Sequence, residues 1–157
     1  MPLTILTQSA HIAMGLAPVA DAFSGTVRSD IFNMKNFSAC TFIIIKGVGT
    51  TGTSTITVNA CDDTSGTNRT AIPFRYRKQS TADTWGAVNT VTTAGFDTTA
   101  GSAQLYEIIV DGQELGDTGY QYVELTAIEV VDSPVVGSVL WVGKSMQPQN
   151  IPATALT

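Results

Sequence analysis

The chain has 157 residues, enough for one domain with a core of its own, and only 13% of them are charged, against about 25% in an average soluble domain. Apolar residues stand at 43%, so Thr, Ser, Asn and Gly supply the missing polarity; such a surface suits close packing against another protein, where little charge need be desolvated, or a β-protein with Thr-rich strands. The net charge of −5 and the scatter of Arg28, Lys35, Lys46, Arg69, Arg75, Arg77 and Lys78 along the chain exclude the basic stripe that grips nucleic acid.

Residues 1–25 are weakly patterned and carry Pro2 and Pro18. The stretch 10–22 imitates a secretion signal, but no Lys or Arg precedes it, and Gly15 and Pro18 interrupt it. That argues against export and for synthesis in a reducing cytoplasm. The same two residues leave room for only a short helix within 11–23. Ile5, Leu6, Ile12 and Leu16 would be awkward in water, which predicts an N-terminal arm laid on another surface or folded back on its own body. No run reaches the ~18 apolar residues of a membrane helix.

From residue 26 to 143, turn signals recur about every ten residues between β-branched and aromatic segments. Strands are predicted at 26–33, 40–47, 54–61, 70–79, 85–92, 103–110, 120–127 and 135–142, which reads as one antiparallel all-β sandwich or jelly-roll-like barrel. The clearest unit is a hairpin joining 40–47 to 54–61 through a Gly-rich turn. A symmetric turn sets Ile45 against Ile56, Ile43 against Val58 and Thr41 against Ala60 as the core face. Phe42 and Ile44 then lie on the opposite face and need a cover, either a second layer of this chain or a neighbouring subunit. The register also brings Cys40 opposite Cys61. A disulfide there meets demanding geometry in a reducing cell, so two free, packed thiols are expected.

Further on, Ile72, Phe74 and Tyr76 share one face of their strand and Arg75 and Arg77 the other. Asp111-Gly112 opens a turn towards Tyr120, with Glu114 and Asp117 in its tip. Residues 135–142 are apolar on both faces, which predicts a central strand with Trp141 inside. Residues 144–157 carry Pro148 and Pro152, and Ile151 and Leu156 make them a second arm of the N-terminal kind.

Reactive chemistry is sparse. The single histidine is His11, and nothing marks it as the base of a nucleophilic triad. Asp62-Asp63 with the following Thr-Ser-Gly-Thr-Asn lacks the ligand spacing and closing Glu of a calcium loop, and reads as a strand-end turn. The two cysteines fit no zinc motif. Gly47-Val-Gly-Thr-Thr-Gly52 has no Lys-Ser/Thr ending and no following helix, as a phosphate loop would. No enzyme activity, metal or cofactor is expected.

The segment from Phe42 to Asp63, then Thr70-Ala-Ile-Pro-Phe-Arg-Tyr-Arg-Lys78, Trp85-Gly86 and Tyr106-Glu-Ile-Ile-Val-Asp111, resembles small capsid decoration, cement or head auxiliary proteins of tailed bacteriophages and prophages. The likeness runs from about residue 30 to 147 and consists of structural patterns without a chemical signature. It implies a virion protein, made in the bacterial host cytoplasm, that binds the outer surface of the major capsid protein's shell and ties capsomers together. Many equivalent weak contacts would add through multivalency, and a closed homo-oligomer such as a trimer fits such a role. Another virion subunit (tail tube, head–tail joining or spike base) and a carbohydrate-binding sandwich are the alternatives. The expected organisation is an arm over 1–25, a β-body over 26–143 and an arm over 144–157. Partner contacts are expected at Ile5, Leu6, Ile12, Leu16, Phe42, Ile44, Ile151 and Leu156, with no nucleic acid or membrane involved.

Overall fold

A computed structural model describes residue 6, residues 9–81 and residues 83–145. In chain order the described residues form β1 (Ala10–Val19), β2 (Thr26–Arg28), β3 (Phe32–Asn33), β4 (Phe37–Lys46), β5 (Thr53–Cys61), β6 (Arg69–Ile72) and β7 (Phe74–Thr81). There follow β8 (Thr84–Trp85), β9 (Asn89–Val91), β10 (Phe96–Asp97), β11 (Gln104–Asp111), the one-turn helix α1 (Gly112–Gly116), β12 (Tyr122–Val131) and β13 (Gly137–Ser145). All-β is the right class, and the strands make two antiparallel sheets packed face to face. The larger sheet runs β1-β13-β4-β11-β7-β8, with β9 also beside β7. The smaller runs β10-β5-β12-β2, with β6 also on β5 and β3 also on β12.

Period-two alternation puts one row of each long strand between the sheets. From the larger sheet these are Cys40, Phe42 and Ile44 of β4, Tyr106, Ile108 and Val110 of β11, and Val139 and Trp141 of β13. Ile56, Val58 and Ala60 of β5 meet them from the smaller sheet with Val123, Leu125 and Ala127 of β12. Two aromatic stacks join the layers. Phe32 lies on Trp141 with centroids 4.7 Å apart, and Phe96 on Tyr76 at 3.7 Å. Gly143 leaves the space that Phe37 and Trp141 fill, since a Cβ there would collide with both rings.

Several expectations are corrected. Segments 40–47 and 54–61 are not a hairpin. β4 pairs with β11 and β13, whereas β5 pairs with β12, β6 and β10 in the other sheet. The Gly-rich connection is an arch between layers, spanning the ~10 Å that separates packed sheets. Without a hairpin, nothing ties the parity of β4 to that of β5. Phe42 and Ile44 therefore face the core, and their cover is the chain's own second sheet; Ile43 and Ile45 point outward. Cys40 and Cys61 consequently sit in different sheets, both free and buried.

Pro73, with no N–H to give a ladder, marks where the expected strand 70–79 leaves β6 in one sheet and enters β7 in the other. Likewise β11 and β12 lie in different sheets, and the expected turn at 111–112 is helix α1, with the Asp111 carboxylate accepting from Gln113 N at 3.1 Å. Residues 10–19, expected within an arm, form β1 on β13 over Ala10↔Lys144 to Val19↔Gly137. At the other end, residues 144 and 145 belong to β13.

Candidate interaction surface

The outward row of the larger sheet is the most unusual surface of the molecule. Ile12 and Met14 of β1 stand beside Val142 and Leu140 of β13, which stand beside Thr41 and Ile43 of β4. Thr41, Ile43 and Ile45 in turn adjoin Ile109, Glu107 and Leu105 of β11. Four adjacent strands thus present Ile, Leu, Val and Met on the side away from the core, and among the described residues no element covers them. Ile12, Ile45 and Met14 are 40%, 40% and 53% exposed, the others half-buried by their neighbours. Charge stands only at the margins: Lys144, exposed, follows Val142 on β13 between Ala10 and Ala39, and at the far side Arg77 pairs with Glu107 and Arg75 with Asp111 at 3.8 Å. The Arg77 guanidinium also lies over the Trp85 ring, 4.6 Å from its centroid. A face of this kind buries apolar area without stranding a charge, which is what a protein–protein contact needs at its centre.

The outward row of the smaller sheet is built differently. Thr55, Thr57, Asn59 and Cys61 of β5 lie against Ile128, Thr126, Glu124 and Tyr122 of β12. Glu124 is 1% exposed, yet its carboxylate is held by Arg69 at 2.9 Å and Arg28 at 3.4 Å, with Thr126 Oγ1 donating at 3.4 Å. Asn59 Nδ2 donates to Thr126 Oγ1 at 2.9 Å. This face satisfies its own polar groups; the opposite one leaves apolar groups open.

The residues singled out in the sequence fall into four groups. Phe42 and Ile44 are core. Leu16 is half-buried and packs onto that core. Ile12 lies on the apolar face, and Leu6 is exposed ahead of β1. Ile5, Ile151 and Leu156 lie outside the described residues. Sequence reasoning missed Ile43, Leu140, Ile109 and Leu105: the symmetric-hairpin register turns Ile43 into the core, and alternation alone does not say which row of the other strands faces outward. Lys46 is buried at the end of the sandwich, where its ammonium donates to the carbonyls of Gly52 (2.7 Å) and Thr99 (2.5 Å). Burial, and then the nearby Lys78 charge, push its pKa down.

His11 packs its ring against Phe37 and Trp141, at centroid distances of 6.1 and 5.9 Å. Burial drives the Cys40 thiol up to about 12, and burial with the Glu124 carboxylate takes Cys61 to about 11, so both are protonated at neutral pH. The loop after β5 is tied by Asp63 accepting from Ser65 N and Asp62 from Asn68 N. Among the described residues no group of three His, Cys, Asp or Glu side chains is placed to hold a metal ion, and no helix is long and apolar enough to cross a membrane. An open groove of about 460 Å³ lies between the start of β4 and α1, walled by Met34, Phe37, Leu115 and Tyr120. Lys35 is the one charged side chain on its rim.

No protein-family model matches the sequence, and no curated protein does. Among solved structures, the chain is similar to the SPBc2 prophage-derived protein YomS, with a TM-score of 0.46 and 16% identity over 92% of this chain and 99% of that one.

Proposed function

We propose that this chain is a non-enzymatic structural protein of a tailed-phage particle, and that it decorates the outside of the capsid and strengthens contacts between capsomers. The observation that carries the structural role is the apolar face, covered by no element among the described residues, formed by Ile12, Met14, Ile43, Ile45, Leu105, Ile109, Leu140 and Val142. Roughly 25 cal/mol is gained per Å² of apolar surface removed from water. A rigid sheet brings that gain without first having to order a loop. The virion setting is supported by the resemblance of segments 42–63, 70–78 and 106–111 to decoration proteins. The low charge suits it as well, since subunits packed side by side on a shell then desolvate few ions.

The test is to mix the purified protein with undecorated, expanded phage heads and image the product by electron microscopy. Regular density across the shell is the expected result. Binding at a single vertex or along a tail would reassign the chain to a joining, spike or tube role, and no binding would remove the particle reading.

A further inference from the structure

Among the described residues the two sheets have four edges, and three of them are blunted. The smaller sheet ends in β2 and β3 on one side and in β6 and β10 on the other, all four residues or shorter. The far edge of the larger sheet is made by β8 and β9, of two and three residues, lying along β7 with its Arg75, Arg77 and Lys78. Short split strands and charges are how proteins keep an edge from pairing with another chain.

β1 has neither protection. It is ten residues long, Ala-His-Ile-Ala-Met-Gly-Leu-Ala-Pro-Val, with no Asp, Glu, Lys or Arg. One side pairs with β13; among the described residues nothing pairs with the other side over residues 10–14. Beyond Met14 the edge closes. The register shifts between Met14 and Leu16 and again before Val19, the Gly15 carbonyl accepts from Asp30 N at 2.8 Å, and Pro18 has no donor. The open template is therefore a regular run of five residues.

We propose that a second copy of this chain pairs with β1 through residues 10–14, antiparallel about a two-fold axis at Ile12, so that the larger sheets of two copies continue into one another. The register is self-complementary. Ile12 meets Ile12, Ala10 meets Met14, and on the inward side His11 meets Ala13, so a small residue lies opposite a large one on both faces. The charge balance favours a copy too: the chain carries −5 overall, but none of it sits on this strand, so the backbones meet without like charges opposed. Pairing also brings two exposed members of the apolar face into the contact, Ile12 against Ile12 of the second copy and Met14 against its Ala10 and, diagonally, its Ile12. The face then extends unbroken across the axis, as an isologous contact requires. The proposal stands whether or not the particle reading does.

Sedimentation of the full chain over a range of concentrations should show a monomer–dimer equilibrium. Ile12→Lys sets two ammonium groups opposite each other on the axis and should raise the dimer Kd by about tenfold or more, with the far-UV spectrum unchanged. The second variant does not depend on that one folding. Ile12→Cys should form a disulfide dimer under mild oxidation, because directly opposed strand residues have Cβ atoms about 4.5–5.5 Å apart. Native Cys40 and Cys61 are both buried and give little background. Met14→Cys alone should not cross-link, whereas a mixture of Ala10→Cys and Met14→Cys chains should. A full chain that stays monomeric, or a dimer unaffected by Ile12→Lys, overturns the proposal. So does dimerisation seen only after residues 1–8 are deleted, which would give the edge to the chain's own N-terminal segment.

Discussion

Phe32 and Trp141 stack nearly parallel, with centroids 4.7 Å apart and planes 7° from one another. Phe32 belongs to a two-residue strand at the margin of the smaller sheet, and Trp141 to a strand of the larger one. The contact therefore fastens a margin of the sandwich that has few ladder bonds of its own. Both rings are fully buried, and Phe37 adds an edge-on contact to the same indole at 5.1 Å.

Phe32→Ala should thus cost about 3–5 kcal/mol, the range for emptying an aromatic site in a core. Urea unfolding followed by tryptophan emission measures it. A loss below about 1 kcal/mol would show that the margin contributes little to the fold.

The two rows of β4 should respond in opposite ways. Phe42→Ala should destabilise by about 3–5 kcal/mol. The double variant Ile43→Lys with Leu140→Glu puts a cross-strand ion pair on directly opposed positions, with the Lys also beside Glu107. It should change stability by about 1 kcal/mol or less. Thermal unfolding of the two variants side by side decides which row is core.

β4 also shows how far the sequence could be read. The all-β class, most strand positions and the burial of Trp141 follow from alternation and turn spacing, which are local. Which sheet a strand joins is not local. A six-residue Gly-rich connection serves a hairpin or an arch equally well, and only the pairing of β4 with both β11 and β13 distinguishes them. Under a hairpin register, Ile56 and Val58 dictate the wrong parity for Phe42, and nothing local to the strand corrects it. β1 escaped for a different reason: two register shifts and Pro18 break its alternation, so its pattern resembles that of an unstructured arm.

The Glu124 carboxylate depends on its two arginines. Arg69→Met leaves it buried with the Thr126 hydroxyl and one arginine, Arg28, whose side chain is 47% exposed. Leaving a buried charge wholly uncompensated costs about 3–5 kcal/mol; with Arg28 and Thr126 still in place the loss should be smaller, about 1–3 kcal/mol, and the denaturation midpoint should fall. Arg69→Lys should recover part of the loss. Equal stability for Met and Lys would mean that the stem of the side chain, and not its charge, matters.

Alkaline stability should report the two thiols. Their folded pKa values, about 12 for Cys40 and about 11 for Cys61, lie above the ordinary 9.0. Above pH 9 the unfolded chain sheds these protons while the folded one keeps them. Stability therefore falls as pH rises from 9 towards 11–12, by up to about 1.4 kcal/mol per pH unit for each thiol. Comparing wild type with Cys40→Ala isolates one share, and the variant's slope should be the shallower. In the native state at pH 8, neither thiol should react with a thiol reagent faster than the protein unfolds.

The most direct test of the account is binding to shells by the face variant. Wild type and the Ile43→Lys, Leu140→Glu protein, each confirmed as folded, would be co-sedimented with undecorated, expanded phage heads. The account predicts that wild type pellets with the heads to saturation and that the variant stays in the supernatant. A folded variant that pellets as well as wild type would contradict the assignment of the larger sheet's apolar face as the surface through which this protein works.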